Sequence, residues 1–172
     1  MQAGWNSWRK VTGVMCDKRM PARLKGKVHK TVVRPAMLYG LETEAITKKH
    51  EEEMEVAEMR MLRWSMGWTR KDRARNERIR GLTGVGGLPR KIRQDRLRWF
   101  GHVKRRDGDY VGKRVMEMEM DGRRKRGRPK TRWMDRVKDD MKSLELEEDD
   151  ALDRRAWRCA IHYSDPADCG TS

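Results

Sequence analysis

Hydrophobic positions recur at helical spacing in short stretches of this chain, and Gly and Pro fall between the stretches. Residues 21–34, PARLKGKVHKTVVR, put Leu24, Val28 and Thr31/Val32 on one face; Pro21 suits a first turn and Pro35 a stop. The strongest pattern runs from Thr47 to about Ser65. Met54, Ala57, Met61 and Trp64 follow i, i+3, i+7, i+10 and predict one buried stripe. Thr47 suits an N-cap, Glu51 to Glu53 lie near the positive end, and Arg60 and Arg63 lie near the negative end, with Gly67 as terminator. A short helix over about 72–80 closes at Gly81, and GLTGVGGLP (81–89) reads as a loop. Residues 90–106 read as a helix with Ile92, Arg96, Trp99 and Val103 on one face. MEMEMDG (116–122) alternates at period two, which suits a short strand or extended piece. Thr131 is placed to cap a helix carrying Trp133, Val137, Met141 and Leu144. A last helix, roughly 149–162, carries Leu152, Ala156 and Cys159 and stops at Asp165-Pro166. There is no internal repeat. The predicted class is mainly α: short helices joined by extended, basic loops.

Charge changes this picture from a small helical protein to a polyanion-binding one. The 172 residues carry a formal net charge of +15, with 40% charged and 36% hydrophobic positions and a single Phe. Met and Trp stand in for scarcer aliphatic residues, so the Met-rich run Met54, Met59, Met61, Met66 reads as core filler. The charge is concentrated. Between Arg60 and Arg106 there are sixteen Lys/Arg against three Asp/Glu; from Asp135 to Asp153 nine acids face three bases. Such a one-sided middle predicts attraction to polyanions, mainly nucleic acid and less often an anionic membrane face.

The densest stretch is GRRKRGRPKTRW (122–133), in which seven of the ten positions from Arg123 to Arg132 are basic. Gly127 would let an extended Arg126-Gly127-Arg128 approach a minor-groove floor, and Pro129 biases Arg128 towards an extended backbone. This core resembles an AT-hook, with Lys125 where that family has its leading Pro. The same residues suit a nuclear-localisation patch or a nonspecific phosphate-binding loop. In RLRWFGH (96–102), Trp99 falls on the apolar stripe and reads as a core anchor, whereas Arg93, Arg98, Lys104, Arg105 and Arg106 together read as phosphate contacts. The predicted nucleic-acid-binding set is therefore Arg93, Arg98, Lys104, Arg105, Arg106, Arg123, Arg124, Lys125, Arg126, Arg128, Lys130 and Arg132.

Little else in the chain carries chemistry. Cys159, His162 and Cys169 lack a fourth donor and a trusted zinc spacing. The pairs Asp139-Asp140 and Asp149-Asp150 diverge by about 100° on a helix, which suits a solvated face and a helix N-terminus better than a shared metal. No His has a nucleophile or acid partner in sequence, and GLTGVGGLP is neither a Walker A motif nor a Rossmann fingerprint. The expectation is no catalytic residue, no metal, no cofactor and no small-molecule substrate. The three cysteines point to a reducing compartment. No apolar run approaches the ~20 residues of a membrane span, and no signal-peptide core precedes Arg9-Lys10; a nuclear or cytoplasmic protein is expected.

Four blocks in order carry a resemblance: KVHKTVVRPAMLYGLET (27–43), VAEMRMLRWSMGWTRKDRARNERIRG (56–81), RLRWFGHVKRRD (96–107) and GRRKRGRPKTRWMDRVKDDM (122–141). From about Ala3 to Pro166 the chain resembles the carboxy-terminal part of reverse transcriptases from RTE-like, LINE-type non-LTR retrotransposons. The resemblance implies that residues 1–68 are the end of a palm and a helical thumb, which packs on the template–primer duplex. It implies that 69–172 are a basic nucleic-acid-binding region with terminal helices and a connector at 122–132. The family's Ala-Asp-Asp box would lie before residue 1, so the implied function is a noncatalytic fragment that binds RNA or DNA. The chain departs from the family at Glu44-Ala45, where members carry an aromatic or aliphatic residue. A free-standing AT-hook-like chromatin protein and a decayed element product without function are the alternatives.

Overall fold

The computed structural model describes residues 2–118 and 131–162. Every regular element among the described residues is helical, so the chain is mainly α. In order the helices are α1 (Gln2–Met15), α2 (Ala22–Val28), α3 (Arg34–Leu38), α4 (Lys48–Ser65), α5 (Asn76–Thr83), α6 (Leu88–Lys104), α7 (Val111–Glu117), α8 (Trp133–Lys142) and α9 (Arg154–Ala160). A π turn, His29–Val33, joins α2 to α3, and 3-10 turns cover Leu41–Thr43, Arg70–Asp72 and Asp149–Leu152. The described residues form two compact units: 2–39 with 48–92, and 40–47 with 93–118 and 131–162.

The first unit is built around α4. Met54, Ala57 and Met61 are buried as their spacing predicts, but Trp64 is 53% exposed. At about 100° per residue Trp64 stands about 80° from Met54, on the side away from Glu58, Leu62 and Ser65, which are also buried. The buried arc is thus centred near Glu58, and a stripe drawn through large apolar residues alone misses its direction. Gly67 does end the helix. It takes φ +70°, its N–H bonds the Trp64 carbonyl at 3.0 Å, and the Trp68 N–H bonds the Arg63 carbonyl at 2.9 Å, which together form a Schellman cap.

Three predicted boundaries shift, each for a backbone reason. α5 continues past Gly81 to Thr83, because it is Gly84 that takes φ +66° and caps Arg80 with its N–H at 2.7 Å. α6 begins at Leu88, inside the expected loop; Pro89 in a first helical turn sacrifices no hydrogen bond. Pro35 does not stop the second helical run. The Arg34 N–H reaches back five residues to His29, and this wide turn lets the chain pass the missing Pro35 N–H.

α2 packs on α5 very closely. An added Cβ on Gly26 would lie 1.8 Å from the Thr83 carbonyl oxygen, so only glycine fits. Charge is buried here as well. Glu58 is fully buried; its carboxylate accepts from Arg34 Nε at 2.8 Å and Arg34 Nη2 at 3.1 Å, and lies 3.3 Å from His29 Nε2. Arg34 also donates to the Gly86 carbonyl at 2.6 Å, as does Arg80, which pairs with Glu55 at 2.8 Å.

The second unit has its own core of Leu97, Phe100, Val137, Met141, Ala151, Trp157 and Ile161. Trp133, Val137 and Met141 share the inward face of α8 as their spacing predicts, with Leu144 packed beside them. Trp99 is not a core anchor. The buried positions of α6 in this unit include Arg96, Leu97, Phe100 and Val103, while half-buried Trp99 stacks on His102 at 5.4 Å. Arg96 holds its place in the core through Asp140, 2.9 Å away, so Asp140 is an ion-pair partner rather than a solvated acid. The last helix also presents another face than expected. Asp153 breaks the run by capping α9, its Oδ1 accepting from Arg155 and Ala156 N–H groups at 2.8 and 3.1 Å. This rotates Ala151, Trp157 and Ile161 inward and leaves Leu152, Ala156 and Cys159 outside. Of the predicted extended piece, Met116 and Glu117 are helical, Met118 is extended, and 119–122 lie outside the described residues. Asp165, Pro166 and Cys169 lie outside them too.

Candidate nucleic-acid interface

The described members of the predicted binding set all fall in the second unit. α6 supplies Arg93, Arg98 and Lys104, the turn after it supplies Arg105 and Arg106, and Arg132 directly precedes α8. Arg123, Arg124, Lys125, Arg126, Arg128 and Lys130, with the AT-hook-like core, lie outside the described residues.

Periodicity sorts the α6 cations into two groups. Arg98 stands 60% exposed on the outer face, with Asp95 one turn back at a loose 3.5 Å. Arg106 is exposed, its guanidinium 5.8 Å from the Tyr110 ring centroid, where a cation–π contact fixes it without neutralising it. Arg132 is exposed as well. Its backbone N–H bonds Asp135 Oδ2 at 2.8 Å, so the helix start orders the backbone and leaves the side chain to solvent.

The other three have partners inside the unit. Arg93 donates to Ser143 Oγ at 2.8 Å. Lys104 pairs with Glu148 at 2.8 Å and lies 5.7 Å from the Phe100 ring centroid. Arg105 donates to the Ala151 carbonyl at 2.5 Å, and burial, with the nearby Arg154 charge, lowers its pKa. That reads as a strut between α6 and the Asp149–Leu152 turn. Arg136 has a similar use: its Nε and Nη2 both donate to the Ile46 carbonyl, at 3.0 and 2.8 Å, while Trp133 Nε1 donates to the Glu42 carbonyl at 2.8 Å.

The sequence reading missed a cationic groove on α9. Arg154, Arg155 and Arg158 line it with Cys159 and His162, and no carboxylate is among its lining residues. The signal was present in the i, i+1, i+4 spacing, but the acidic run 147–150 just before it hides the local charge. Among the described residues no group of His, Cys, Asp and Glu is arranged to hold a metal. No described helix is long and apolar enough to cross a membrane. No protein-family model, curated protein or solved structure matches the chain.

Proposed function

We propose that this chain is a noncatalytic, carboxy-terminal portion of a retrotransposon-type reverse transcriptase that binds RNA or DNA through α6, the turn after it and the 122–132 connector. The observation that carries the binding is the exposure of Arg98, Arg106 and Arg132 in a chain of net charge +15. Together with the six connector cations they make nine cationic groups for a phosphate backbone. The retrotransposon assignment rests on the four ordered sequence blocks, and a nuclear or cytoplasmic site of action goes with it.

A gel-shift titration in salt tests the binding. Nine contacts predict a log–log slope of about −8 on duplex DNA and about −6 on a single strand. Replacing Arg98, Arg106 and Arg132 by Ala should make the duplex slope shallower by about 3. A flat salt response of the intact protein removes the reading. Primer extension on a template should yield no product.

A further inference from the structure

We infer that the first unit carries a second nucleic-acid site, a stacking surface for unpaired bases at Trp64. It goes beyond the phosphate contacts of the second unit and does not depend on them. Trp64 lies in the last turn of α4 and is about half exposed to solvent. Two grooves meet at it and share Arg60: Trp5 and Arg9 help line one, Trp68 and Arg73 the other. The Trp5 ring lies 5.8 Å from Trp64 at an interplanar angle of 59°, a tilted contact that does not cover a ring face as a parallel stack would. Trp68 is braced from Arg78, whose guanidinium lies 5.4 Å from its ring centroid.

Charge complementarity names the occupant. The Trp5 groove has no carboxylate among its lining residues. Arg9 and Arg60 are exposed and have no acidic partner among the described residues. In the Trp68 groove Glu55 is already paired with Arg80 at 2.8 Å, and Arg63 is held by Asn76 and the Ala74 carbonyl. That leaves Arg60 and Arg73 facing Glu52. An apolar protein partner laid over Trp64 would desolvate Arg60 and Arg9 without pairing them, which is costly. A single strand offers flat bases to the indoles and phosphates to the guanidinium groups in one repeating unit. A duplex offers the phosphates but keeps its bases stacked on each other.

Fluorescence anisotropy on the full chain separates these terms with four labelled probes: oligo(dT) and oligo(rU) of about twelve nucleotides, an abasic strand of equal length, and a duplex. The intact protein should bind the base-bearing strands more tightly than the abasic one. Trp64→Ala should weaken oligo(dT) binding about tenfold or more, leave the abasic strand and the duplex unchanged, and so erase the difference; Trp64→Phe should restore most of it. Arg60→Ala, at an exposed position of α4, should weaken all single strands and make their salt slope shallower by about 0.7; if Trp64→Ala does not fold, an unchanged affinity and slope in this variant overturns the site. Replacing Arg98, Arg106 and Arg132 should lower affinity for every probe and leave the ratio of base-bearing to abasic strand intact. Equal binding of oligo(dT) and the abasic strand by the intact protein overturns the site. So does an unchanged ratio in a Trp64→Ala variant that melts like the wild type. Loss of duplex binding alone strikes the second unit's reading and leaves this one standing.

Discussion

Glu58→Gln is the sharpest probe of the first unit, because one atom changes at the centre of a buried charge cluster. Burial by itself raises the Glu58 pKa. The His29 hydrogen bond and the Arg34 charge and hydrogen bonds more than reverse that, and the carboxyl is held down from 4.5 to about 2. A folded pKa below the unfolded one means the carboxylate contributes stability in full above about 4.5. That contribution is then lost as pH falls towards about 2. The interval corresponds to about 3 kcal/mol. The amide can accept from Arg34 but points N–H donors at a guanidinium, so near neutral pH the variant should lose about 3–5 kcal/mol, as expected for one partner removed from a buried pair. Urea unfolding followed by far-UV circular dichroism, from pH 6 down to pH 2.5, measures both proteins. Their unfolding free energies should differ most at the high end and draw together towards the low end, as pH approaches the folded pKa of about 2 and most of the carboxylate's contribution is lost. Parallel pH curves separated by less than about 1 kcal/mol would refute the argument, since they would mean that Glu58 is solvated like a surface acid.

Other perturbations probe the packing. Gly26→Ala puts a Cβ 1.8 Å from the Thr83 carbonyl oxygen, so α2 and α5 must separate. The expected net loss is about 2 kcal/mol, overpacking outweighing the gain of about 1 kcal/mol in helix propensity, and it reads as a lower urea midpoint. Asp153→Ala removes the acceptor for two N–H groups at the start of α9. It should cost about 1 kcal/mol, while Asp153→Asn should recover most of that in the same assay.

The fold class was legible because the longer stretches repeat apolar residues at a period near 3.6, and the α8 stripe of Trp133, Val137 and Met141 identified its inward face directly. What the sequence hid follows from polar groups doing core work. Arg34 and Glu58 are buried at positions that a hydrophobic pattern counts as solvent-facing, and Arg96, on the apolar face, is buried as a charge. Their partners lie far along the chain: Gly86 for Arg34, Asp140 for Arg96. No local rule supplies such pairings. The exposed Trp64 was lost to the same cause, because a stripe drawn through Met and Trp cannot see that α4 turns Glu58 inward. The binding set divided for a reason of the same kind. Charge density marks Arg93, Lys104 and Arg105 as strongly as Arg98 and Arg106, and only tertiary contacts distinguish a strut from an exposed cation.

That division changes what the net charge of +15 means. With 36% hydrophobic residues and one Phe, this chain has little apolar surface to bury. Part of its cohesion comes instead from long cationic side chains that reach backbone carbonyls: Lys25 to Ser65, Arg34 and Arg80 to Gly86, Arg105 to Ala151, Arg136 to Ile46. Each satisfies an acceptor and covers apolar surface with its methylene stem. Such residues are poorly placed to release their partner and meet a phosphate. The charge that can act on a polyanion is therefore smaller than the composition implies; Arg98, Arg106 and Arg132, the α9 groove cations Arg154, Arg155 and Arg158, and Arg9, Arg60 and Arg73 are among the described cations that stay exposed. If the carbonyl-bound cations stay with their acceptors, Arg136→Ala should lower the urea midpoint and leave the salt slope of binding unchanged; a slope shallower by about 0.9 would mean that Arg136 leaves the Ile46 carbonyl for a phosphate.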